Sequence, residues 1–298
     1  MTRSGFVSLT GRPNVGKSTL MNYMLGEKVA ITSSKPQTTR SRIQGVLTDE
    51  DTQIVFIDTP GIHKPTHKLG EYMVEAASRT ISDVDFVLLI VEAGHPRQGD
   101  IDVIAQIEKA GIETILVINK IDTVSQSELI LSAEEFGKLY DFEEIVPVSA
   151  KTGKNVDELL RVIRERLPEG PFFFPEDTLT DQPEKQIAAE LIREKALKLL
   201  EKEIPHGLAV VIDSFKERED KDLIDIDATI ICEKASHKPI IIGKGGAMIK
   251  KIGSYAREDM EKMLETKVNL QLFVKVKERW RDSDYLIKNF GFDKKELE

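Results

Sequence analysis

The stretch Gly11-Arg12-Pro13-Asn14-Val15-Gly16-Lys17-Ser18 constrains this chain more than any other. It fits G-x-x-x-x-G-K-[ST], and its surroundings fit too. Phe6 to Leu9 is a short apolar run that reads as a buried strand. Residues from Gly16 to Leu25 read as a helix with Leu20, Met21, Met24 and Leu25 on one face. A strand, a glycine-bearing turn and a helix N-terminus gather successive backbone N–H groups around an anion, and the helix dipole adds to the attraction. Gly11 and Gly16 let the backbone turn and approach a phosphate, and Asn14, Val15 and Thr19 complete the cradle. Lys17 adds a point charge, and Ser18 offers a hydroxyl oxygen to Mg²⁺, a cation that keeps several waters and takes few protein ligands.

At 298 residues the chain is long enough for about two domains. The net charge of −9 argues against a protein that coats nucleic acid over its whole surface, but it hides an asymmetry. From Lys234 to Arg281 there are twelve Lys and Arg against five Asp and Glu, a local +7. A basic block in an acidic chain points to a polyanionic partner. The single cysteine, Cys232, sits in an apolar run and reads as a small buried hydrophobe, which fits a reducing compartment. The longest apolar runs are about six residues, far below the ~20 that a bilayer-spanning helix needs. With no apolar signal core ahead of the first strand, a cytoplasmic location is expected. Peripheral contact with the cytoplasmic face of the cell membrane stays open.

Residues 1–168 alternate strand and helix patterns. The strands expected are Phe6–Leu9, Ile54–Ile57, Phe86–Val91, Thr114–Ile118 and Ile145–Val148. The helices expected are Lys17–Leu25, Leu69–Ser82, Ile101–Ala110 and Val156–Leu167, with Gly111 ending the third and Asn155 capping the fourth. Such alternation predicts an α/β domain, a mostly parallel sheet with helices on both faces and ligands at the carboxyl ends of the strands. Pro168 to Pro175 is punctuated by Pro and Gly, which marks a linker over 169–183. Its three phenylalanines predict that it packs against a domain. Beyond it, 184–298 reads in the order α-β-β-α-β, a small α+β domain.

Two further stretches follow buried strands. Asp58-Thr59-Pro60-Gly61 comes directly after Gln53 to Ile57, and a carboxylate at the end of a buried strand can hold Mg²⁺ through a water. Gly61 lets a backbone N–H approach a terminal phosphate. Asn119-Lys120-Ile121-Asp122 follows Ile115 to Ile118. Guanine presents N1–H and N2–H₂ as adjacent donors and adenine does not, so a bidentate Asp122 carboxylate selects guanine. Asn119 can bond the base and neighbouring loops, the Lys120 stem can lie along the nucleotide, and the backbone of Ser149-Ala150-Lys151 can donate to guanine O6.

In order and in context, these four stretches resemble the nucleotide motifs of Ras-like P-loop GTPases. The resemblance implies that GTP and GDP are bound with Mg²⁺ and that GTP is hydrolysed. It also implies that a threonine of Lys35-Pro36-Gln37-Thr38-Thr39-Arg40 binds Mg²⁺ and the γ-phosphate. Thr38 and Thr39 both qualify, with Thr39 slightly favoured. Metal ligands are then Ser18, Thr38 or Thr39, and Asp58, while Lys17, Thr39 and Gly61 face the transferred phosphoryl group. One departure matters. Where Ras-like proteins carry a water-orienting Gln after this Gly, the chain has Ile62, so slow intrinsic hydrolysis is expected. In related GTPases an Asn at the position of Asn14 helps to bind K⁺, which would supply the missing cation.

The second informative stretch is Pro239 to Gly253. Gly243-Lys244-Gly245-Gly246 is a G-x-x-G loop that opens a helix. Ile240 to Ile242, with Ile249 and Ile252, can form an apolar groove for unstacked bases, flanked by Lys250 and Lys251. This resembles a KH domain of the second type, which clamps four nucleotides of single-stranded RNA. Trp280, between Arg279 and Arg281, could stack on a base or pack the domain.

A Ras-like domain followed by one KH domain, over nearly the whole chain, resembles a family of bacterial ribosome-assembly GTPases. That resemblance implies a partner in the 3′ end of 16S rRNA and the 30S subunit, and a monomeric protein. It also implies a switch whose state passes to the RNA-binding domain, by way of the linker at Pro168–Pro175. The alternative is a membrane-associated signalling GTPase whose basic domain meets anionic lipid.

Overall fold

This computed structural model describes residues 1–62 and 65–292; residues 293–298, which the sequence reading includes in the second domain, lie outside the described residues. The chain divides into two compact units. The first holds Met1–Ala30, Thr39–Pro65 and Gly70–Asp181, and the second holds Ile31–Thr38, Thr66–Leu69 and Gln182–Glu298.

The first unit runs β1 (Arg3–Thr10), α1 (Lys17–Leu25), β2 (Ile43–Thr48), β3 (Thr52–Asp58), α2 (Lys68–Ser82), β4 (Phe86–Glu92), α3 (Gln98–Ala110), β5 (Thr114–Asn119), α4 (Gln126–Gly137), β6 (Glu144–Pro147) and α5 (Val156–Arg166). Its six strands lie in the order β2-β3-β1-β4-β5-β6, all parallel except that β2 runs antiparallel to β3. The continuous apolar runs form strands because both faces are buried. In β4, Phe86, Leu88 and Ile90 enter one core with the inner faces of α1 and α5. Val87, Leu89 and Val91 enter the opposite core with α2, α3 and Phe136 of α4. Each such side chain removed from water contributes about 1.5–3 kcal/mol. Strand order reverses beside β1, so the carboxyl ends of β1, β3 and β5 open on one crevice, the place where sheets of this kind bind ligands.

β2 and α4 are additions to the elements expected from sequence. Gly111 ends α3 in the left-handed region, as its type predicts. Asn155 does not cap α5 with its side chain. It takes a left-handed conformation, and its Nδ2 donates instead to the Pro147 carbonyl at 2.9 Å. The residues after Pro168 pack on the first unit. Gln53, fully buried, accepts from the backbone N–H of Phe173 (2.8 Å) and Phe174 (3.0 Å) and donates to the Phe174 carbonyl (2.9 Å). The Phe173 ring lies 4.7 Å from that of Phe6. Farther on, Val46 N–H donates to the Leu179 carbonyl at 2.8 Å and Thr180 Oγ1 donates to Gln44 O at 2.6 Å.

The second unit holds α6 (Glu184–Leu199), β7 (Ala209–Glu217), β8 (Leu223–Cys232), α7 (His237–Ile242), α8 (Ala247–Met263), β9 (Lys267–Val276) and α9 (Asp284–Asn289). Its sheet is β7-β8-β9, with β7 antiparallel and β9 parallel to β8. The alternation along β8 buries Ile224, Ile226, Ala228 and Ile230 under α6 and α8, with Ile252, Ala256 and Met260 facing them. Ile240 to Ile242 belong to the extra helix α7, where Ile241 is buried and Ile240 is exposed. Trp280 packs the domain and does not stack in solvent. It is fully buried against Phe290 and Phe292, and its Nε1–H donates to Gly207 O at 2.9 Å. Cys232 is buried as well, and burial pushes its thiol pKa up. No helix among the described residues is long and apolar enough to cross a membrane.

Candidate nucleotide site and nucleic-acid groove

The loop from Gly11 to Ser18 connects β1 to α1. Gly16 stands at φ 104°, and a Cβ there would lie 2.3 Å from the Asn119 amide nitrogen. Only glycine therefore lets the phosphate loop and the Asn119 loop close on each other. They are joined: Asn119 Nδ2 donates to the Val15 carbonyl at 2.8 Å. Asn119 Oδ1 accepts from Lys120 N–H (2.8 Å) and Ala150 N–H (2.9 Å), which ties in the loop after β6. Ser149 Oγ donates to Asp122 Oδ1 at 2.6 Å, and that hydrogen bond, ahead of the charges of Lys151 and Lys120, holds the carboxyl below the usual carboxylate range. Asp122 is thereby ionised and oriented. Lys120 Nζ pairs with Glu92 at 2.9 Å, a residue that the motif reading passed over.

At the phosphate end, Lys17 Nζ donates to the carbonyls of Gly11 and Arg12, each at 3.1 Å. Burial lowers its pKa to about 8; nearby Asp58 opposes the shift and Arg12 adds to it. Burial likewise raises the Asp58 pKa, against the pull of Lys17 and the hydrogen bonds from Ser18 and Thr39. Ser18 Oγ donates to Asp58 Oδ2 at 2.5 Å, and Thr39 Oγ1 lies 3.0 Å from Ser18 Oγ and 3.2 Å from Asp58 Oδ2. Thr38 turns away, its hydroxyl donating to Lys35 O at 2.7 Å. Asp58 Oδ1 is buried with no hydrogen-bond partner. Three hard oxygens and an orphaned carboxylate oxygen fit a divalent cation. Thr19 is half-buried in the first turn of α1, and Asn14 is exposed with φ 66°. Gly61 packs on Pro13, where a Cβ would fall 2.6 Å from the proline nitrogen. Ile62 is buried among Ile57, Ala77, Ile81 and Val84, so its side chain faces the core.

In the second unit, Gly243 to Gly246 join α7 to α8. A Cβ at Gly243 would lie 2.7 Å from Met248 N, so the loop is drawn tightly over the start of α8. Gly245 is at φ 58° with open space around it, and Lys244 is exposed. Beyond the loop, a groove of about 400 Å³ runs between α8 and the edge strand β9. Ile249, Gly253, Leu270 and Leu272 line it, with Lys250, Ser254, Arg257 and Asn269 supplying polar groups. Ile252 points the other way, into the core, and Lys251 lies over the Tyr255 ring at 5.8 Å. The strip on α8 that faces the groove runs through 249, 250, 253 and 257, so Ile249 and Lys250 line it as the sequence reading has them, while Ile252 and Lys251 do not. Ile242 is half-buried at the end of α7.

Comparison with known proteins agrees with both halves. Residues 6–120 match the model of the 50S ribosome-binding GTPase family, and 203–281 match that of the KH domain. The chain is 54% identical over 291 residues to GTPase Era of Ruminiclostridium cellulolyticum, covering 97% of each. It belongs to the Era GTPase family. Solved Era structures have the same fold. A variant of Aquifex aeolicus Era bound to GDP·AlF₄⁻ matches at TM-score 0.94 and 40% identity, over 98% of this chain and 99% of that one. Era in complex with MgGDPNP and nucleotides 1506–1542 of 16S ribosomal RNA matches at TM-score 0.95 and 40% identity, with the same coverage. As a member of the Era family the chain is a GTPase, with a Ras-like domain followed by a KH domain.

Proposed function

We propose that the protein is a GTP-driven switch that binds the 3′ end of 16S rRNA through its KH groove and acts in maturation of the 30S subunit. The observation that carries this reading is the pairing, in one chain, of an interlocked guanine site with a glycine-opened, Lys- and Arg-lined groove. The Era relative solved with MgGDPNP and 16S nucleotides supports it.

In this reading Asp122 accepts from guanine N1 and N2, and the backbone of Ser149 to Lys151 donates to O6. Lys17 leaves the Gly11 and Arg12 carbonyls for the β- and γ-phosphates, and Gly61 N–H approaches the γ-phosphate. Ser18, Thr39 and Asp58 hold Mg²⁺, with Thr39 and not Thr38 as the switch residue. When bound, the ion neutralises charge on the phosphate oxygens. Ile62 supplies no hydrogen bond to water, so intrinsic turnover is slow and rests on backbone, cation or partner. K⁺ held with the help of Asn14 is the cation proposed. Equal hydrolysis in Na⁺ and K⁺ buffers would refute that part. The groove receives unstacked bases on Ile249, Leu270 and Leu272, while the G-x-x-G backbone and Lys244 meet phosphates. State passes from the switch loops to the RNA-binding domain by way of the linker at Pro168–Pro175.

The test is the affinity for a single-stranded RNA copying the 16S 3′ end, measured at one salt concentration for protein loaded with a GTP analogue and with GDP. Tighter binding in the GTP form is expected, and equal binding would remove the switch. Anionic vesicles, in parallel, test the lipid reading: Gly245→Asp should abolish RNA binding and only slightly weaken vesicle binding, and unchanged RNA binding would count against the RNA reading.

A further inference from the structure

The connection from Glu92 to Asp100 carries none of the nucleotide motifs, yet it reaches into the phosphate loop. Arg12 Nε donates to Asp100 Oδ1 at 2.6 Å, and the two side chains are 15% and 1% exposed. The other carboxylate oxygen, Oδ2, accepts from Arg97 N–H at 2.9 Å and closes the first turn of α3. Asp100 is thus oriented by its own helix before it meets Arg12. The space for the arginine is also provided. A Cβ at Gly99 would lie 2.6 Å from Arg12 Cδ and 3.0 Å from Cγ, so any other residue at 99 would push the arginine stem aside.

The backbone of Arg12 is functional even though its side chain is not part of a motif. Its carbonyl is one of two that hold Lys17 Nζ, and the next residue, Pro13, is packed on Gly61. A buried ion pair gains little net stability, because desolvation of both charges offsets their attraction. What it does supply is a fixed direction. Here that direction passes along the Arg12 side chain into the peptide between the two glycines of the loop.

We propose that Asp100 is a positioning residue for nucleotide binding, acting through Arg12. The pair fixes the Arg12–Pro13 peptide, and with it the orientation in which the loop N–H groups and Lys17 meet the β- and γ-phosphates. The inference rests on the reading of this site as a guanine-nucleotide site. Without the pair the loop samples other peptide orientations, and affinity falls by the fraction of time it spends in the binding one.

The experiment uses the full chain and fluorescent GDP and GTP-analogue probes, with dissociation followed by stopped flow. The variants are Asp100→Asn, Arg12→Met and the double variant. Asp100→Asn keeps the cap, since the amide oxygen still accepts from Arg97 N–H, and removes the charge from Arg12. Dissociation of both probes is expected to quicken about tenfold in each single variant and no further in the double, because one pair is being removed. KM for GTP should rise in step. The melting temperature of the nucleotide-free double variant, which leaves no charge unpaired, should stay close to that of the parent while its dissociation stays fast, a result that a merely structural role would not give. Asp100→Glu, which restores the charge, should recover part of the slow dissociation. Unchanged dissociation in Asp100→Asn overturns the proposal. So does a double variant whose effect is the product of the singles, or one whose melting temperature falls together with its affinity. If the parent protein bound no guanine nucleotide, the underlying site reading would fail first, so the two failures are distinguishable.

Discussion

The nucleotide site and the KH groove solve recognition in opposite ways. In the four nucleotide motifs the side chains already hold one another. Asn119 bonds Val15, Lys120 and Ala150, Ser149 holds Asp122, and Ser18 and Thr39 close on Asp58. In the groove, Lys250 and Arg257 are exposed above an apolar floor, and Lys244 is exposed on the loop before it. The first arrangement has its geometry fixed before the ligand arrives, so it discriminates by hydrogen-bond complementarity. The second draws on backbone charge and shape, so it tolerates change residue by residue and depends on salt.

Four measurements would break or sharpen that contrast. The largest effect is expected from Asp122→Asn, which removes the acceptor pair for guanine. GTP affinity should fall on the order of a hundredfold or more, and XTP should gain, because an amide can donate to the C2 carbonyl of xanthine. Calorimetric titration with both nucleotides checks it, and an unchanged preference would show that the interlocked loops do not read the base. Next, Gly245→Asp should abolish RNA binding, a loss on the order of a hundredfold, with GDP affinity unmoved. Asp is among the few residues that visit φ 58°, and the space around it is open, so the strain is about 1–2 kcal/mol and circular dichroism should remain that of the parent.

A smaller effect comes from pH. Lys17 titrates at about 8 in the nucleotide-free fold because of its burial. Below that pH it is protonated in both folded and unfolded chains. Above it the folded chain has lost the proton while the unfolded chain retains it, so the empty fold gains stability as pH rises from about 8 towards the ordinary lysine value. A bound phosphate favours the ammonium form. Binding should therefore take up a proton, and GDP affinity should weaken by at most about tenfold per pH unit above this value. Calorimetry in buffers of different ionisation enthalpy measures the uptake, and zero uptake at pH 8.5 to 9 (about the window set by that shift) would refute it. The smallest effect is that of Lys250→Ala: a few-fold loss of RNA affinity, and a salt slope lowered by about 0.7. A hundredfold loss would mean that the groove is as interlocked as the nucleotide site.

The elements most legible in the sequence are those whose environment is uniform along their length. β4 is apolar at every position from Phe86 to Val91 because both its faces are buried, and no helix pattern competes with it. β2 escaped notice because Ile43-Gln44-Gly45-Val46-Leu47-Thr48 lies at a sheet edge, where only some positions are buried. α7 was hidden because six residues with Pro239 and three consecutive isoleucines show no helical period. Asn155 has the right residue type for a cap, yet Pro147 O claimed its amide. The four motifs of the nucleotide site were visible because each is local. Thr38 and Thr39 are indistinguishable as letters, and their hydroxyls part only when the chain is folded. Arg12 and Asp100 stand 88 residues apart, so no local spacing announces the pair.

The segment that follows Pro168 has a bearing on solubility. By pairing Leu179 and Thr180 with Val46 and Gln44, it occupies backbone groups of β2, the strand at the edge of the six-stranded sheet. An unguarded edge of this kind is a template for strand addition from another molecule. A fragment cut at Pro168 would bare that edge and leave the buried Gln53 amide without the Phe173 and Phe174 backbone. Such a fragment is expected to self-associate, whereas one carried through Asp181 keeps the Leu179–Thr180 segment over β2 and stays dispersed.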